Sequence, residues 1–313
     1  MGDRRATHPL SAELPVGVAA RAVIGSHLTV LARELQTART GKVEGVHQLR
    51  VVTRRLRATL ALFEQALPRR TAQALARELA ELGRAVGPVR DLDVLALAVA
   101  RRGRKIEPAL EPAVATIVRH IRDRRAAAHT LLVSTLDAPR TRRTMARLAA
   151  LSAHRGHDAT PFGVVAAGLV RPLVRDLRRA GRKVDVDPSP GALHRLRIRA
   201  KQLRYALETV DGLGGEATRT LARRLADLQH VLGDQRDATN QRAWLIDEVP
   251  AFAGDAEALV TLGAITEGLG RRARRLARKG GRTWRRVGRP KRVAAVFAEL
   301  ERGSRHAIDT RAA

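Results

Sequence analysis

The sequence predicts an all-α fold of two four-helix bundles, and three observations carry that prediction. Apolar residues recur at steps of three and four, as in Val16, Ala20, Val23, Ile24, Leu28, Leu31 and Leu35, the period of a helix that buries one face. β-Branched runs with strict alternation are missing, so no segment reads as a half-buried strand. The third observation is a duplication. Val46-His47-Gln48-Leu49-Arg50 through Arg57 aligns with Leu193-His194-Arg195-Leu196-Arg197 through Arg204 at a shift of 147 positions. Leu75-Ala76-Arg77 through Gly87, Arg90 and Asp91 then aligns with Leu221-Ala222-Arg223 through Gly233, Arg236 and Asp237 at a shift of 146. Such a period is far beyond the roughly 20 to 50 residues of solenoid repeats. It implies two similar halves of about four helices each, related by approximate two-fold symmetry.

Taken in order, residues 1–15 carry Arg4, Arg5, Pro9 and Pro15 without an apolar run, and are expected to be a flexible segment and not a signal peptide. The first helix starts near Val16 and closes at Gly41. The second bears the first copy of the motif and ends before Pro68. The third, with Leu75, Leu79, Leu82 and Val86 on one face, is expected to stop at Gly87-Pro88. Gly103 and Pro139 punctuate the rest of a first half spanning about 16–152. A connector holding His154, His157 and Asp158 leads to a second half of about 160–305, punctuated by Gly181, Pro188-Ser189-Pro190, Gly212, Gly233 and Pro250. These stops set helices of about 15 to 25 residues, and 306–313 reads as a tail. The apolar stretch after Pro15 is interrupted by Arg21, His27 and Arg33. No segment approaches the roughly 20 uninterrupted apolar residues of a membrane span, so a cytoplasmic protein without a membrane partner is expected.

Composition narrows the function. Lys and Arg number 59 against 31 acids in 313 residues, a net charge of +28. That charge repels itself and favours a polyanionic partner over small neutral substrates. Cysteine is absent, which excludes disulfides, thiolate nucleophiles and Cys-ligated zinc. With only 4 Phe, 2 Trp and 1 Tyr, the chain lacks the repeated aromatic platforms on which readers of single-stranded nucleic acid stack bases. Arg greatly outnumbers Lys, a skew that nucleotide bias also produces, so the position of the charges is more informative than their kind.

Position is informative in the repeated motif. His47, Arg50, Arg54 and Arg57 are spaced i, i+3, i+7 and i+10, which confines them to an arc of about 80° at ~100° per residue. Leu49, Val52, Leu56, Leu60 and Phe63 fall in another arc of about 80° on the opposite side. The helix therefore docks through its apolar stripe and presents the basic one. His194, Arg197, Lys201 and Arg204 repeat the arrangement, with Leu196, Leu203, Leu207 and Val210 behind them, although Arg199 replaces Val52 at the apolar edge. Solubility alone does not require the same order twice, and like charges at i+3 and i+4 cost each helix a few tenths of a kcal/mol per pair. An anion placed between the stripes offsets that repulsion.

The segments V-H-Q-L-R-V-V-T-R-R-L-R and L-H-R-L-R-I-R-A-K-Q-L-R-Y-A-L-E, with the later L-G-x-x-R-D elements, resemble the CHAD family, the conserved histidine α-helical domain, over about residues 16–305. The resemblance implies two four-helix bundles around a basic central pore that binds inorganic polyphosphate and directs proteins to polyphosphate granules. His47, Arg50, Arg54, Arg57, His194, Arg197, Lys201 and Arg204 are the residues it places along that pore. Tyr205 matches a Tyr of the family pattern and either donates to phosphate or braces Arg204. Many relatives carry a triphosphate tunnel domain with a Glu-x-Glu-x-Lys signature; here Glu299-x-Glu301 is followed by Gly303, so no attached catalysis is expected.

Three further features complete the reading. Asp91 and Asp237 are expected to cap helices that begin after Gly87-Pro88 and Gly233, with Arg90 and Arg236 as outer contacts to the ligand. The run Arg271 to Lys279 is the densest positive segment and lacks a counterpart near 122–143; it reads either as a phosphate-tracking face, with Arg275 and Arg278 as outer contacts to the ligand, or as a solvated face. His154-x-x-His157-Asp158 has the residue types of a metal site but reads as a linker, and no metal or other cofactor is expected. Polyphosphate binding without catalysis is the leading function. Nucleic-acid binding, a coat role on polyester inclusions, and phosphotransfer through His47 or His194 are its rivals. Oligomeric state has no signal in the sequence.

Overall fold

The computed structural model describes residues 10–104, 106–154 and 159–312, with the backbone alone at Pro290 and from His306 onward. Among these residues there are ten α-helices and no strand. They are α1 (Val16–Arg39), α2 (Val43–Leu62), α3 (Arg69–Gly103), α4 (Glu111–Asp137), α5 (Pro139–Ala153), α6 (Phe162–Val186), α7 (Pro190–Thr209), α8 (Glu216–Asp247), α9 (Ala256–Val287) and α10 (Pro290–Ala312). The duplication is expressed element by element, α1–α5 corresponding to α6–α10, so each half adds a fifth helix to the four anticipated. Within each half the first helix packs on the second and fifth, the second on the third, and the third on the fourth. Across the halves α1 meets α6, α2 meets α7, α3 meets α8 and α4 meets α9. An isolated antiparallel bridge between Pro15 and Pro161 joins the segments that lead into α1 and α6.

Not every predicted stop is one. α3 runs through Gly87 and Pro88, and α8 runs through Gly233, giving helices of 35 and 32 residues. A proline inside a helix removes one hydrogen bond and kinks it. α3 tolerates this because Val86 and Val89 on either side are fully buried. Gly181 is also interior to α6; a Cβ there would lie 1.8 Å from the Trp284 ring of α9, so this glycine exists for close approach. Gly41 is a true terminator. Its φ of +74° is a left-handed conformation that favours glycine.

The apolar stripes pack as the periodicity requires. Leu49, Val52, Leu56 and Leu60 of α2 with Phe63 at its C-cap, and Leu196, Leu203 and Leu207 of α7 with Val210 at its C-cap, are buried. One core spans both halves, while a second gathers the distal parts of α3 and α4 with those of α8 and α9, around Leu95, Ile117, Leu245 and Leu262. α1 is long and apolar enough to cross a membrane by length and composition. Its Val16, Ala20, Val23, Ile24, Leu31 and Leu35 are buried in the first core, which makes it a core helix. His154 is exposed; His157 and Asp158 lie outside the described residues, and among the described residues no group of three His, Asp or Glu side chains has a metal-binding arrangement.

Candidate functional site: a cationic cleft between α2 and α7

With their apolar stripes buried in the first core, α2 and α7 turn their basic stripes toward each other. Arg54 of α2 joins Arg197, Lys201 and Arg204 of α7 around one pocket of about 210 Å³, closed by Gln229 and His230 of α8. Arg54, Arg57 and Lys201 also line a larger cavity of about 790 Å³, together with Val165, Gly168 and Leu169 of α6. Arg50 faces the same group: it lowers the proton affinity of both Arg197 and Lys201 through space.

Tyr205 sits at the seam. It is buried, its hydroxyl accepts from Arg54 Nε at 2.8 Å, and the guanidinium carbons of Arg54, Arg55 and Arg204 lie 5.8, 5.3 and 5.0 Å from its ring centroid. Cation–π contacts of this kind contribute about 0.5 to 2 kcal/mol each. Tyr205 therefore braces the guanidiniums. Glu208 holds Arg204 at 2.9 Å and Arg55 at 3.2 Å, and Arg204 Nε donates to Gln229 Oε1 at 3.2 Å.

The repeated Gly-x-x-Arg-Asp elements form two matching seats for the stripe arginines. Arg50 NH1 donates to Gly87 O at 3.3 Å and pairs with Asp91 at 3.2 Å. A Cβ on Gly233 would touch Arg197 Nε and NH2 at 3.7 and 3.9 Å, and Asp237 is the carboxylate that acts on Arg197. At both seats a guanidinium from the facing helix lies against the α3 or α8 backbone, at distances where a Cβ would make ordinary van der Waals contact. Asp91 and Asp237 lie inside α3 and α8, not at caps as the sequence suggested. Desolvation at the floor of a concave surface raises the Asp237 pKa even though the side chain keeps open area, and Asp91 and Asp234 add to this against the pull of Arg197 and Arg50.

Compensation is unequal. Arg50 and Arg204 have carboxylate partners, whereas among the described residues no carboxylate pairs with Arg57, Arg197 or Lys201 at ion-pair distance. Arg197 Nε and His194 Nδ1 are buried without a hydrogen-bond partner. Burial, followed by repulsion from Arg54, Arg197, Arg50 and Arg57, brings the Lys201 amine down to about 7. Burial and then Arg236, Arg197 and Lys201 hold His194 below the usual imidazole value. His47 is half-buried in the first turns of α2.

The outer candidates separate. Arg236 stands beside His194, within electrostatic reach. Arg90, Arg275 and Arg278 line a different cleft of about 740 Å³ between α3, α8 and α9. His230 and Gln229 belong to the α2–α7 site although they lie outside the repeated motif. Position 84, the counterpart of His230, is an exposed Arg paired with Glu81, so the duplication carries no signal for them.

A CHAD domain family profile matches residues 22–246 of the chain. The chain belongs to that family. CHAD domains are associated with polyphosphate binding. The chain is 28% identical over 247 residues to the uncharacterized proteins MT2285 and Rv2226 of Mycobacterium tuberculosis, a match covering 74% of this chain and 45% of each relative. It therefore spans less than half the length of these curated relatives. Among solved structures, the CHAD domain from the plant Ricinus communis is similar at a TM-score of 0.67 and 24% identity, over 96% of both chains. PptA from Streptomyces chartreusis is similar at a TM-score of 0.70 and 20% identity, over 87% of this chain and 100% of that one. These two likenesses concern the fold.

Proposed function

We propose that the chain binds inorganic polyphosphate in the cleft between α2 and α7 and does not act on it chemically. The observation that carries this reading is the cleft itself, where Arg54 and Arg57 of α2 gather with Arg197, Lys201 and Arg204 of α7 around shared cavities and, among the described residues, no carboxylate stands at ion-pair distance from Arg57, Arg197 or Lys201. A fold that turns uncompensated cations toward one another is relieved by an anion placed between them. Guanidinium forks match phosphate oxygens bidentately, and a linear polyphosphate supplies those oxygens repeatedly. Tyr205, the aromatic residue of the site, has its ring engaged by three guanidiniums, which leaves no platform for a nucleobase and favours polyphosphate over single-stranded nucleic acid. Phosphotransfer has less support: a nucleophilic histidine needs an orienting base, and His194 Nδ1 lacks any partner. A protein with this function works where polyphosphate accumulates, in the cytoplasm and on polyphosphate granules.

Replacing Lys201 and Arg57 by Gln removes two uncompensated charges without burying a negative one. Calorimetric titration with long-chain polyphosphate should show at least about a tenfold loss of affinity, with helicity by circular dichroism unchanged. Wild-type affinity in this double variant would overturn the assignment. Equal competition by duplex DNA at matched phosphate concentration would favour the nucleic-acid reading instead.

A further inference from the structure

The larger cavity at the α2–α7 site has walls of two kinds. Arg54 and Arg57 of α2 and Lys201 of α7 supply positive charge. The rest of the wall is mostly apolar, with Ala58, Ala61 and Leu62 of α2 and Ile198 and Ala206 of α7. α6 adds Val165, Gly168, Leu169, Pro172 and Leu173, a strip at i, i+3, i+4, i+7 and i+8 without a charge or a hydrogen-bonding side chain. Glu64, Gln202 and Thr209 also reach the wall, but each already has a partner. Glu64 accepts from Arg69 and Gln73, Gln202 accepts from Arg199, and Thr209 donates to the Tyr205 carbonyl. At ~1.5 Å per residue, the stretch of α2 from Arg54 to Leu62 is about 12 Å long, so the cations and the far apolar end are separated along one helix.

The apolar wall belongs to one half only. With α6 aligned on α1 at the 146-position shift of Pro15 and Pro161, and α7 on α2 at 147, the counterparts of Ala61, Leu62, Pro172 and Leu173 are Glu208, Thr209, Ser26 and His27. The counterpart of Ala58 is Tyr205. Polar or larger side chains therefore stand in one half where the other has small or apolar ones. The polar set is engaged internally, since Glu208 pairs with Arg55 and Arg204 and the Arg55 guanidinium lies over the Tyr205 ring. The basic positions, by contrast, are kept in both halves as Arg54 with Lys201 and Arg57 with Arg204. The duplicated frame thus accounts for the cations and not for the apolar wall beside them.

We infer that the α2–α6–α7 cavity binds an amphipathic anion, a phosphate monoester with an alkyl tail, its head on Arg54, Arg57 and Lys201 and its tail along α6. Guanidinium forks match phosphate oxygens, and the uncharged strip removes the tail from water. A cavity of about 790 Å³ falls within the roughly 300 to 1,000 Å³ of small-molecule sites, which pair apolar walls with a few placed polar groups. The head uses cations that the polyphosphate reading also uses, so the inference rests on that reading for its anion and makes the two ligands competitors.

Titration calorimetry with hexyl, octyl and decyl phosphate, each below its micelle-forming concentration, tests this beside decyl maltoside and long-chain polyphosphate. Affinity is expected to rise about tenfold for each two methylenes added. Decyl maltoside, which has the tail without the charge, is expected to bind at least about tenfold more weakly than decyl phosphate. Decyl phosphate is expected to displace polyphosphate. Leu62 and Leu173 are half-buried, and Leu62→Thr with Leu173→Gln makes the tail wall polar. This variant is expected to lose about tenfold for decyl phosphate and to bind polyphosphate as the wild type does, with helicity checked by circular dichroism. Leu62→Thr alone, which installs the residue α7 carries at the counterpart position, is expected to lose about threefold and serves if the double variant unfolds. A flat tail-length series, equal binding of decyl maltoside, absence of competition, or undiminished decyl phosphate affinity in folded variants would overturn the amphiphile site. So would an equal loss of polyphosphate affinity in those variants, which would make the two leucines structural. Binding to vesicles containing phosphatidic acid without binding of the monomeric alkyl phosphates would overturn it in favour of a membrane surface. In each case wild-type binding of polyphosphate leaves the first reading in place, whereas a wild type that binds neither polyphosphate nor any alkyl phosphate overturns both.

Discussion

Lys201 stands where the first repeat has Arg54, which puts an amine that burial can neutralise in place of a guanidinium that stays charged. Its folded value of about 7 lies well below the ordinary 10.5. Between those values the unfolded chain binds the extra proton, so the contribution of this group to stability rises with pH across that window. Below about 7 both states are protonated and the penalty, on the order of a few kcal/mol, is present in full. Lys201→Gln should therefore raise the thermal midpoint of the ligand-free protein at pH 6, with the advantage fading toward pH 10. Ligand binding reverses the sign. A bound polyanion raises the Lys201 value, so the complex takes up a proton and affinity strengthens as pH falls from about 9 to 6. Lys201→Arg keeps the charge and removes the titration, and calorimetry across that range should give a nearly flat profile. A profile as steep as the wild type would transfer the pH dependence to His194, which titrates lower.

At the scale of elements, α8 is the helix on which both clefts depend, and its N-terminus is held from a distance. Gly215 supplies no capping side chain. The Glu299 carboxylate of α10 instead accepts from Gly215 N at 3.0 Å, Ala217 N at 2.8 Å, Thr218 N at 2.9 Å and Thr218 Oγ1 at 2.8 Å. Burial works to raise the Glu299 pKa, but these donors outweigh it and leave the group below its ordinary value. Its contribution is thus present above the ordinary carboxylate range and lost as pH falls through the depressed folded value. Glu299→Ala should cost about 1 to 2 kcal/mol, the range of a lost helix cap, read as a lower midpoint in urea unfolding at neutral pH. A difference that persists undiminished at pH 2 would exclude the charged cap as its cause.

The whole molecule joins two repeated halves through contacts that neither half makes alone. Strand-like hydrogen bonds run from Val16 N to Thr160 O and from Phe162 N to Leu14 O. At the far end His120 of α4 meets Glu248 at 2.6 Å, against Trp244 and Phe252. The net charge of +28 acts over the whole surface and is screened by salt, while the clefts concentrate it. Log affinity for polyphosphate should fall linearly with log salt, by the counterion release known for nucleic acids, and Arg57→Gln should flatten the slope by roughly 0.7 to 0.9. Calorimetry over a series of salt concentrations measures both, and an affinity indifferent to salt would contradict the electrostatic mechanism.

The sequence by itself determined the helices and the two-faced character of α2 and α7. Both follow from a period of about 3.6 residues, and the buried Leu49 and Leu56 opposite Arg50 and Arg54 needed no partner to be located. The duplication likewise told which helices correspond, because a repeat is a property of order along the chain. The continuation of α3 and α8 through Gly87-Pro88 and Gly233 was not legible, since local propensity favours a stop and only the buried neighbours Val86, Val89 and Leu232 overrule it. Nor could Asp91 and Asp237 be told from caps, or Glu299 from a degraded catalytic signature, until the helices they serve were in place. The proton affinity of Lys201 arises from burial and from arginines more than 140 positions away on α2. Such values depend on which groups folding brings within a few ångströms of each other and on how much water it removes, and tertiary structure alone decides both.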